Sequence, residues 1–269
     1  MTPDPRPIDI PIDIPIDIPI DLPLLEFDPS QEAVINPWRY RRQLGFPERG
    51  VMCWFGDVVR ARTAGLEAVH HVRFEHGDHG IYVVNHRGVD VALTNPPVGA
   101  PAAVGSLEDL IALGATNVIG CGGAGIVRPG FDLGHVIVPT GAIRDEGTSY
   151  HYAPAHTAVL PHPRALSVID DVLTEGGVPH DRGLTWTTDA VYRETPAKVA
   201  RRREQGCITV EMEASAMFAC ASFRGAVYGQ LLYAGDDVSA AEWDHRHWNH
   251  QHSARERLLD LALDAAIRL

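Results

Sequence analysis

The run Ile208-Thr-Val-Glu-Met212 leads directly into Glu213-Ala-Ser-Ala-Met-Phe-Ala-Cys-Ala-Ser-Phe223. A short β-branched and apolar run predicts a buried strand, and the alanine-rich run after it predicts a helix. Runs of both kinds alternate along the chain. We predict strands over residues 51–55, 81–84, 89–94, 117–120, 136–139, 183–187, 208–212 and 226–234. We predict helices over residues 106–113, 163–175, 196–205, 213–223 and 253–268.

This alternation of strands and helices favours an α/β protein with a largely parallel sheet flanked by helices. In such sheets, ligands bind beyond the carboxyl ends of the strands. Functional side chains are therefore expected directly after the strands.

The composition argues against several classes of protein. The chain has 269 residues, 45% of them apolar, which is enough for one large domain with a buried core. Its formal net charge of -12 argues against general nucleic-acid binding, which requires a basic surface. No apolar run approaches the ~20 residues that cross a bilayer. The cysteines lack a C-x-x-C spacing, so reduced thiols in a cytoplasmic protein are the simpler interpretation.

The N-terminal residues form a repeat, in which Pro-Ile-Asp recurs with a period of four from Pro7 to Pro19. Proline at every fourth position is incompatible with a helix or a central strand. Residues 1–23 are therefore expected to be a disordered leader, and a docking arm for a partner is the alternative. Residues 24–50 form an N-terminal extension, and residues 51–269 form a single globular domain.

The segment Gly120-Cys-Gly-Gly-Ala-Gly125 overlaps the end of one predicted strand. Glycines can adopt positive φ and bring backbone amides close to a ligand, as in loops that hold an anion or a ribose oxygen. The segment has neither the Gly-Lys-Ser/Thr of a P-loop nor the spacing G-x-G-x-x-G. A tight turn after a strand is the alternative interpretation.

Acidic residues stand at the ends of two further predicted strands. Glu211 and Glu213 flank Met212, and such a group suits a sugar because carboxylates accept from vicinal hydroxyls while methionine packs on the ring. Complementarity to the helix dipole is the alternative. Asp236 and Asp237 follow the last predicted strand and suit a general acid, a metal ligand or a solvated turn.

Two more segments carry polar side chains. Gly56-Asp-Val-Val-Arg60 follows the first predicted strand and offers one arginine to an anion, although a surface arginine is more frequent. His245-Arg-His-Trp-Asn-His-Gln-His252 suggests a metal, but zinc ligands prefer other spacings or combinations with cysteines and carboxylates. We interpret it as a polar rim of an active site or a surface loop, without a metal.

In their order along the chain, these segments resemble the nucleoside phosphorylase superfamily, in particular its uridine phosphorylase and bacterial purine nucleoside phosphorylase types. The resemblance covers residues 51–269, and its strongest motif is Glu211-Met-Glu-Ala214. Further support comes from the glycine segment, from Arg144-Asp-Glu-Gly-Thr-Ser-Tyr-His-Tyr-Ala-Pro154 and from Thr187-Thr-Asp-Ala-Val-Tyr192. Nucleoside hydrolases belong to the same superfamily.

The resemblance implies an α/β fold, a single domain with a mixed, partly barrel-like central sheet flanked by helices. It also implies a homo-oligomer, either a dimer or a hexamer. The implied reaction is phosphorolytic cleavage of the N-glycosidic bond of a nucleoside to a free base and ribose 1-phosphate. The partners are then a small-molecule nucleoside and inorganic phosphate as co-substrate, without nucleic acid, membrane, organic cofactor or metal.

The resemblance also implies site residues, position by position. Ribose contacts are implied for Glu211, Met212 and Glu213. Phosphate contacts are implied for Gly56, Arg60, Cys121 and, from a neighbouring subunit, Arg73. Contacts to a purine-like base are implied for Tyr192, Arg193 and Asp236. The catalytic pair is then Glu213 at the ribose and Asp236, an acid facing N7 of the base, which would stack on Tyr192 or Trp186.

Two positions and one segment depart from the phosphorylase pattern. The segment is Thr94-Asn-Pro-Pro-Val-Gly99, which lacks the usual glycine-rich turn beside the phosphate. Val118 stands where phosphorylases carry a second phosphate-binding arginine, and Cys121 where they carry a serine or threonine. Loss of a charge-assisted contact weakens phosphate binding, so hydrolysis by water is the alternative activity. The family hydrolases activate water with a glutamate in the 56–60 segment, where this chain offers only Asp57. A non-catalytic nucleoside-binding protein is the third possibility.

Overall fold

The computed structural model describes residues 22–39 and 45–269. The predicted leader lies outside this part of the chain except for its last two residues, so its disorder stays a prediction. The strands are β1 (Arg49–Cys53), β2 (His70–Phe74), β3 (Gly77–His86), β4 (Val89–Thr94), β5 (Asn117–Ile126), β6 (Val136–Asp145), β7 (His180–Thr188), β8 (Cys207–Glu211) and β9 (Val227–Asp237). The helices are α1 (Gly56–Arg62), α2 (Ala100–Leu113), α3 (Pro163–Glu175), α4 (Pro196–Glu204), α5 (Ala214–Arg224) and α6 (His252–Ala266).

Every predicted strand and helix is confirmed, with ends that differ by up to six residues. Two elements were not predicted. Helix α1 begins at Gly56, a weak helix former, and Phe55 before it provides no side-chain cap. The 56–60 segment is therefore helical and not a loop. Strand β2 buries only Val72, so its sequence lacks the apolar alternation that marks a strand.

The nine strands form one mixed sheet in the order β2-β3-β4-β1-β5-β8-β7-β6-β9. Strand β9 also pairs with β5, so β5, β8, β7, β6 and β9 close into a ring, which confirms the partly barrel-like sheet. The pairs β1/β4, β1/β5, β5/β9, β6/β7 and β7/β8 are parallel, as expected for a largely parallel sheet, whereas β2/β3, β3/β4, β5/β8 and β6/β9 are antiparallel and make the sheet mixed. The first two antiparallel pairs follow one another through short connections, which only antiparallel neighbours allow.

The glycine segment is not the loop that its composition suggests. It continues strand β5, and none of its glycines has a positive φ. Two of the glycines make room for tyrosines of the neighbouring strand β9. A Cβ on Gly120 would overlap the Tyr228 hydroxyl, and a Cβ on Gly123 would lie 3.2 Å from the Tyr233 ring. Close packing therefore explains these two glycines, while Gly122, Gly123 and Gly125 line a cavity and stay available to a ligand.

Helices cover both faces of the sheet. Alternate residues of β1 point to opposite faces, with Val51 and Cys53 in the apolar cluster of α1, α3 and α6, and Met52 in the cluster of α2 and α5. Among the described residues, no helix is both long and apolar enough to span a membrane.

The N-terminal extension is attached to the end of α5. The Phe27 and Phe223 rings meet edge to face at 6.3 Å, and Gln31 Nε2 donates to the Phe223 carbonyl at 3.2 Å. Arg224 Nη1 donates to the Gln31 carbonyl at 2.7 Å. The same arginine forms a buried ion pair with Glu108 of α2, with Nε 2.9 Å from each carboxylate oxygen. This pair joins the two helices on this face of the sheet.

Candidate active site

A cavity of about 270 Å³ lies at the carboxyl ends of the strands. Its wall comes from β5 and β9, from the end of β8, and from the segments that follow β1, β4, β7 and β8. The C-terminal part of the chain adds Trp248 and Arg255. The charged residues of this wall are Glu194, Glu211, Glu213, Asp236 and Arg255. Its aromatic residues are Trp54, Phe55, Tyr233 and Trp248. Three of the predicted acids are thus brought together, Glu211 and Glu213 from the junction of β8 and α5 and Asp236 from β9.

Glu213 lies at the start of α5, and only 6% of its surface is exposed. Its Oε1 accepts a hydrogen bond from the backbone N–H of Gly99 at 2.6 Å. Gly99 has a φ of 101°, a left-handed conformation that favours glycine, and it precedes helix α2. Burial and the neighbouring Glu211 carboxylate raise the pKa of Glu213. A cavity ligand that donates hydroxyls or carries positive charge would stabilise the ionised form of this carboxyl.

Glu211 is held entirely by the protein. Its Oε1 accepts from the hydroxyls of Thr187 (2.7 Å) and Thr185 (3.3 Å). Its Oε2 accepts from the backbone N–H groups of Glu213 (2.7 Å) and Ala214 (2.6 Å). These four bonds use the acceptor sites of the carboxylate. Glu211 therefore fixes the junction between β8 and α5, and the predicted ribose contact finds no free acceptor on it. Burial raises its pKa, although the same four bonds oppose that shift.

Met212, between the two glutamates, also lines the cavity. The backbone amide that follows it is held by Glu211, and Glu213 is held by Gly99. The tripeptide is thus fixed on both sides, and it presents one thioether and one carboxyl to the cavity.

The two aspartates at the end of β9 have different environments. Asp237 is buried, forms an ion pair with Arg246 and accepts from the Ser239 N–H at 2.7 Å. Asp236 lines the cavity, and its Oδ2 accepts from Trp243 Nε1 at 2.7 Å. Asp237 therefore stabilises the loop that follows β9, whereas Asp236 faces the ligand space.

The structure places the two predicted base contacts, Tyr192 and Arg193, away from the cavity. Tyr192 is 96% exposed and Arg193 is exposed as well, and neither lines the cavity. Residues Val191–Arg193 form a 3-10 turn in which side chains three residues apart point the same way, so Val191 and Glu194 face the cavity instead. Trp186 offers no stacking surface, because it is fully buried and its Nε1 donates to Asp145 at 3.0 Å.

The predicted phosphate residues are dispersed. Arg60 is exposed and folds back over the start of α1, where a Cβ on Gly56 would lie 3.2 Å from its Nη1 and 2.9 Å from Asn95 Oδ1. Only glycine lets these two side chains approach so closely. Gly56 and Arg60 do not line the cavity, but Gly56 directly follows Phe55, which does. The two residues therefore lie at the cavity margin.

The predicted phosphate contact of Cys121 does not fit the structure, which buries this residue completely and keeps it off the cavity wall. Burial and the neighbouring Cys53 thiol raise the pKa of the Cys121 thiol, so it stays neutral. Val118 is fully buried as well. Arg73 lies on strand β2 with 80% of its side chain exposed, 3.7 Å from Asp78, and does not line the cavity of its own chain.

Arg255 of α6 is a site residue that sequence reasoning missed, and it is the single cationic side chain among the described residues that line the cavity. Its Nη1 donates to Asp57 Oδ1 at 3.0 Å, and its guanidinium lies 4.9 Å from the centre of the Phe55 ring. Burial would raise the pKa of Asp57, but Arg255 and hydrogen bonds, including one from His252, outweigh it and lower the pKa. Asp57 is thus held in an ion pair and does not line the cavity, which leaves it poorly placed to activate water.

The histidine-rich segment contributes Trp248 to the cavity wall, while its histidines pack on one another and on tryptophans. Within residues 22–39 and 45–269, no three histidine, cysteine or acidic side chains are arranged to hold a metal ion.

Comparison with known proteins shows to which family the chain belongs. A guanosine phosphorylase of Halorubrum lacusprofundi is 25% identical over 163 residues, which are 61% of this chain and 68% of that protein. A uridine phosphorylase structure from Vibrio fischeri superposes with a TM-score of 0.72 at 21% identity, covering 89% of this chain and 99% of that one. An AMP nucleosidase structure from Bacteroides thetaiotaomicron superposes with a TM-score of 0.67 at 24% identity, covering 83% and 89%. The model of the phosphorylase superfamily matches residues 48–268, and the chain therefore belongs to that superfamily.

Proposed function

We propose that the protein cleaves the N-glycosidic bond of a purine-like nucleoside by phosphorolysis, releasing the free base and ribose 1-phosphate. Membership of the phosphorylase superfamily and the similarity to a guanosine phosphorylase support this activity. The observation that carries it is the buried Glu213 carboxyl, which lines the cavity and is held in place by the Gly99 N–H at 2.6 Å.

The chemistry of the bond explains why such a carboxyl is useful. Breaking a glycosidic bond builds positive charge on the sugar ring, as in glycoside hydrolysis. A fixed negative charge beside the ribose stabilises that charge more in the transition state than in the ground state. Glu213 accepts from the ribose hydroxyls, Met212 packs against the ring, and Glu211 keeps both in position.

The base leaves more easily when it is protonated. Asp236 lies at the cavity wall on β9, on a different strand from the glutamate pair. A carboxylic acid at this place suits a purine, whose N7 accepts a proton. Asp236 is therefore the proposed acid at the base, and Val191 and Glu194 replace Tyr192 and Arg193 as the proposed base contacts.

Phosphate is proposed to bind at the cavity margin, where Arg60 lies over Gly56. A second copy of the chain would add Arg73, whose exposed guanidinium does not reach the cavity of its own chain. This completes the site only in a homo-oligomer. We place the reaction in the cytoplasm, since the four cysteines are free, as expected in a reducing compartment. No organic cofactor or metal enters the proposed reaction.

Hydrolysis is the second candidate, and one observation favours it. Val118 and Cys121 are fully buried, so the strand that gives phosphorylases two phosphate contacts offers no side chain to an anion here. The similarity in fold to an AMP nucleosidase is compatible with this alternative.

One experiment separates the two reactions. The purified protein is incubated with inosine, guanosine, adenosine and uridine, with no phosphate or with millimolar phosphate, and base release is followed by chromatography. Phosphorolysis predicts release that requires phosphate and is accompanied by ribose 1-phosphate. Equal release without phosphate would show hydrolysis, and binding without release would leave only a nucleoside-binding protein.

A further inference from the structure

Glu194 is a half-buried acid at the cavity wall, and its carboxyl has no partner among the described residues. It follows the 3-10 turn after β7 and points to the cavity with Val191. No hydrogen bond or ion pair joins its carboxyl to another residue in the described part of the chain. The carboxyl is therefore free to interact with whatever occupies the cavity.

The charged groups that the structure describes around the cavity leave Glu194 without a neutralising cation. Asp236 faces it from β9, and Glu211 and Glu213 line the cavity from the β8–α5 junction. Arg255 lines it from α6 but is paired with Asp57. In α4, which follows Glu194, Lys198 and Arg202 both donate to Asp145.

We propose that Glu194 is the acid that protonates the departing base. This inference rests on the proposed function and moves the proton donor from Asp236 to its neighbour at the cavity wall. Asp236 accepts from Trp243 Nε1 at 2.7 Å, whereas the Glu194 carboxyl has no such bond within the described residues. Glu194 is therefore the freer of the two to turn to the base.

Burial and a nearby carboxylate both disfavour the ionised form of a carboxyl and so hold a proton on it at neutral pH. Burial, and then the charge of Asp236, raise the pKa of Glu194 to about 7. A general acid works best when its pKa lies near the operating pH. Glu194 is thus protonated over a pH range in which an ordinary glutamate is not.

The step balances as follows. A phosphate oxygen forms a bond to C1′ of the ribose while the C1′–N9 bond breaks and its electron pair passes to the base. The proton moves from the Glu194 carboxyl to N7, so the base leaves neutral and Glu194 becomes a carboxylate. Water returns the proton before the next turnover. The substrate class is a nucleoside whose base accepts a proton on a ring nitrogen remote from the sugar.

The test compares Glu194→Gln with the control Glu204→Gln, which changes an exposed glutamate at the end of α4. Each variant receives a purine nucleoside and a 4-nitrophenyl riboside, whose leaving group departs without a proton. Loss of a general acid costs about 10²- to 10⁴-fold. Glu194→Gln is expected to lose activity in this range on the purine nucleoside and far less on the nitrophenyl riboside, whereas Glu204→Gln matches the unmodified protein on both.

The pH profile tests the proton on Glu194. In the unmodified protein, kcat/KM for the purine nucleoside falls as pH rises through about 7, because Glu194 loses its proton there. Asp236→Asn removes the neighbouring charge, so the fall moves to lower pH. Equal losses of Glu194→Gln on both substrates, no loss on either, or an unmoved profile in Asp236→Asn would overturn the inference. If the unmodified protein cleaved neither substrate, the proposed function itself would fail, and this inference with it.

Discussion

Replacing Glu213 by glutamine removes a charge and keeps the shape of the side chain. Glutamine Oε1 can still accept from the Gly99 N–H, which lies 2.6 Å from Glu213 Oε1, so the position of the side chain is retained. What is lost is the charge that the second carboxyl oxygen brings to the ribose. A hydrogen bond to a charged group contributes about 1.5–3 kcal/mol, which corresponds to a fall in kcat/KM of about 10- to 150-fold.

The same substitution is expected to lower activity but to raise the stability of the folded protein at high pH. Burial and Glu211 raise the folded-state pKa of Glu213 above its unfolded value of about 4.3. The folded protein therefore binds this proton more tightly than the unfolded chain, and stability is lost as pH rises from the unfolded value through the raised folded value. Each pKa unit corresponds to about 1.4 kcal/mol, or about 3 °C in Tm for a chain of this size.

Glu213→Gln is therefore expected to be slower on nucleosides but at least about 3 °C more stable than the unmodified protein at pH 9. At pH 4, below the unfolded pKa of Glu213, the two melt at nearly the same temperature. Initial rates with saturating phosphate and thermal melts at both pH values measure the two effects, and Glu204→Gln serves as the control. An unchanged rate, or a Tm lowered at pH 9, would refute the assignment of Glu213.

Three further substitutions test separate parts of the structure. Arg224→Leu leaves Glu108 charged and buried without its partner, so urea unfolding should show a loss of about 3–5 kcal/mol. The double replacement of Arg224 and Glu108 by leucine should restore most of it, and failure to do so would contradict the ion-pair explanation. Arg60→Gln should raise the KM for phosphate about 10-fold or more, whereas Arg62→Gln should not, and equal effects would remove Arg60 from the phosphate site. Cys121→Ser should leave that KM unchanged and destabilise the fold by about 1–3 kcal/mol, and a lowered KM would show that residue 121 does reach phosphate.

The sequence predicts those parts of the site that lie at the ends of strands. Glu213 and Asp236 each follow a predicted strand, and ligands of α/β sheets bind at such strand ends. The sequence therefore indicates that each acid belongs to a site, but their meeting at one cavity wall depends on the closed ring, because β8 and β9 run in opposite directions. The same pattern places Met212 between the two glutamates, at the point where β8 ends.

The parts that the sequence mispredicts depend on local geometry. Tyr192 and Glu194 differ by two positions, and only the 3-10 turn shows that Glu194 and not Tyr192 faces the cavity. The signal was present, since residues three apart share a face in such a turn. Arg255 offers no such signal. It lies on α6, the last element along the chain, and no strand end in the sequence marks its place beside the cavity. Cys121 follows the resemblance in position, but close packing beside Cys53 removes it from the surface.

A structure of the protein with an unreactive purine nucleoside analogue tests the central claim most directly. We expect a ribose hydroxyl about 2.5–3.0 Å from the free oxygen of Glu213, with N7 of the base turned towards Glu194 and Asp236. An analogue bound elsewhere, or bound in the cavity with its ribose away from Glu213, would contradict the claim that this cavity cleaves nucleosides.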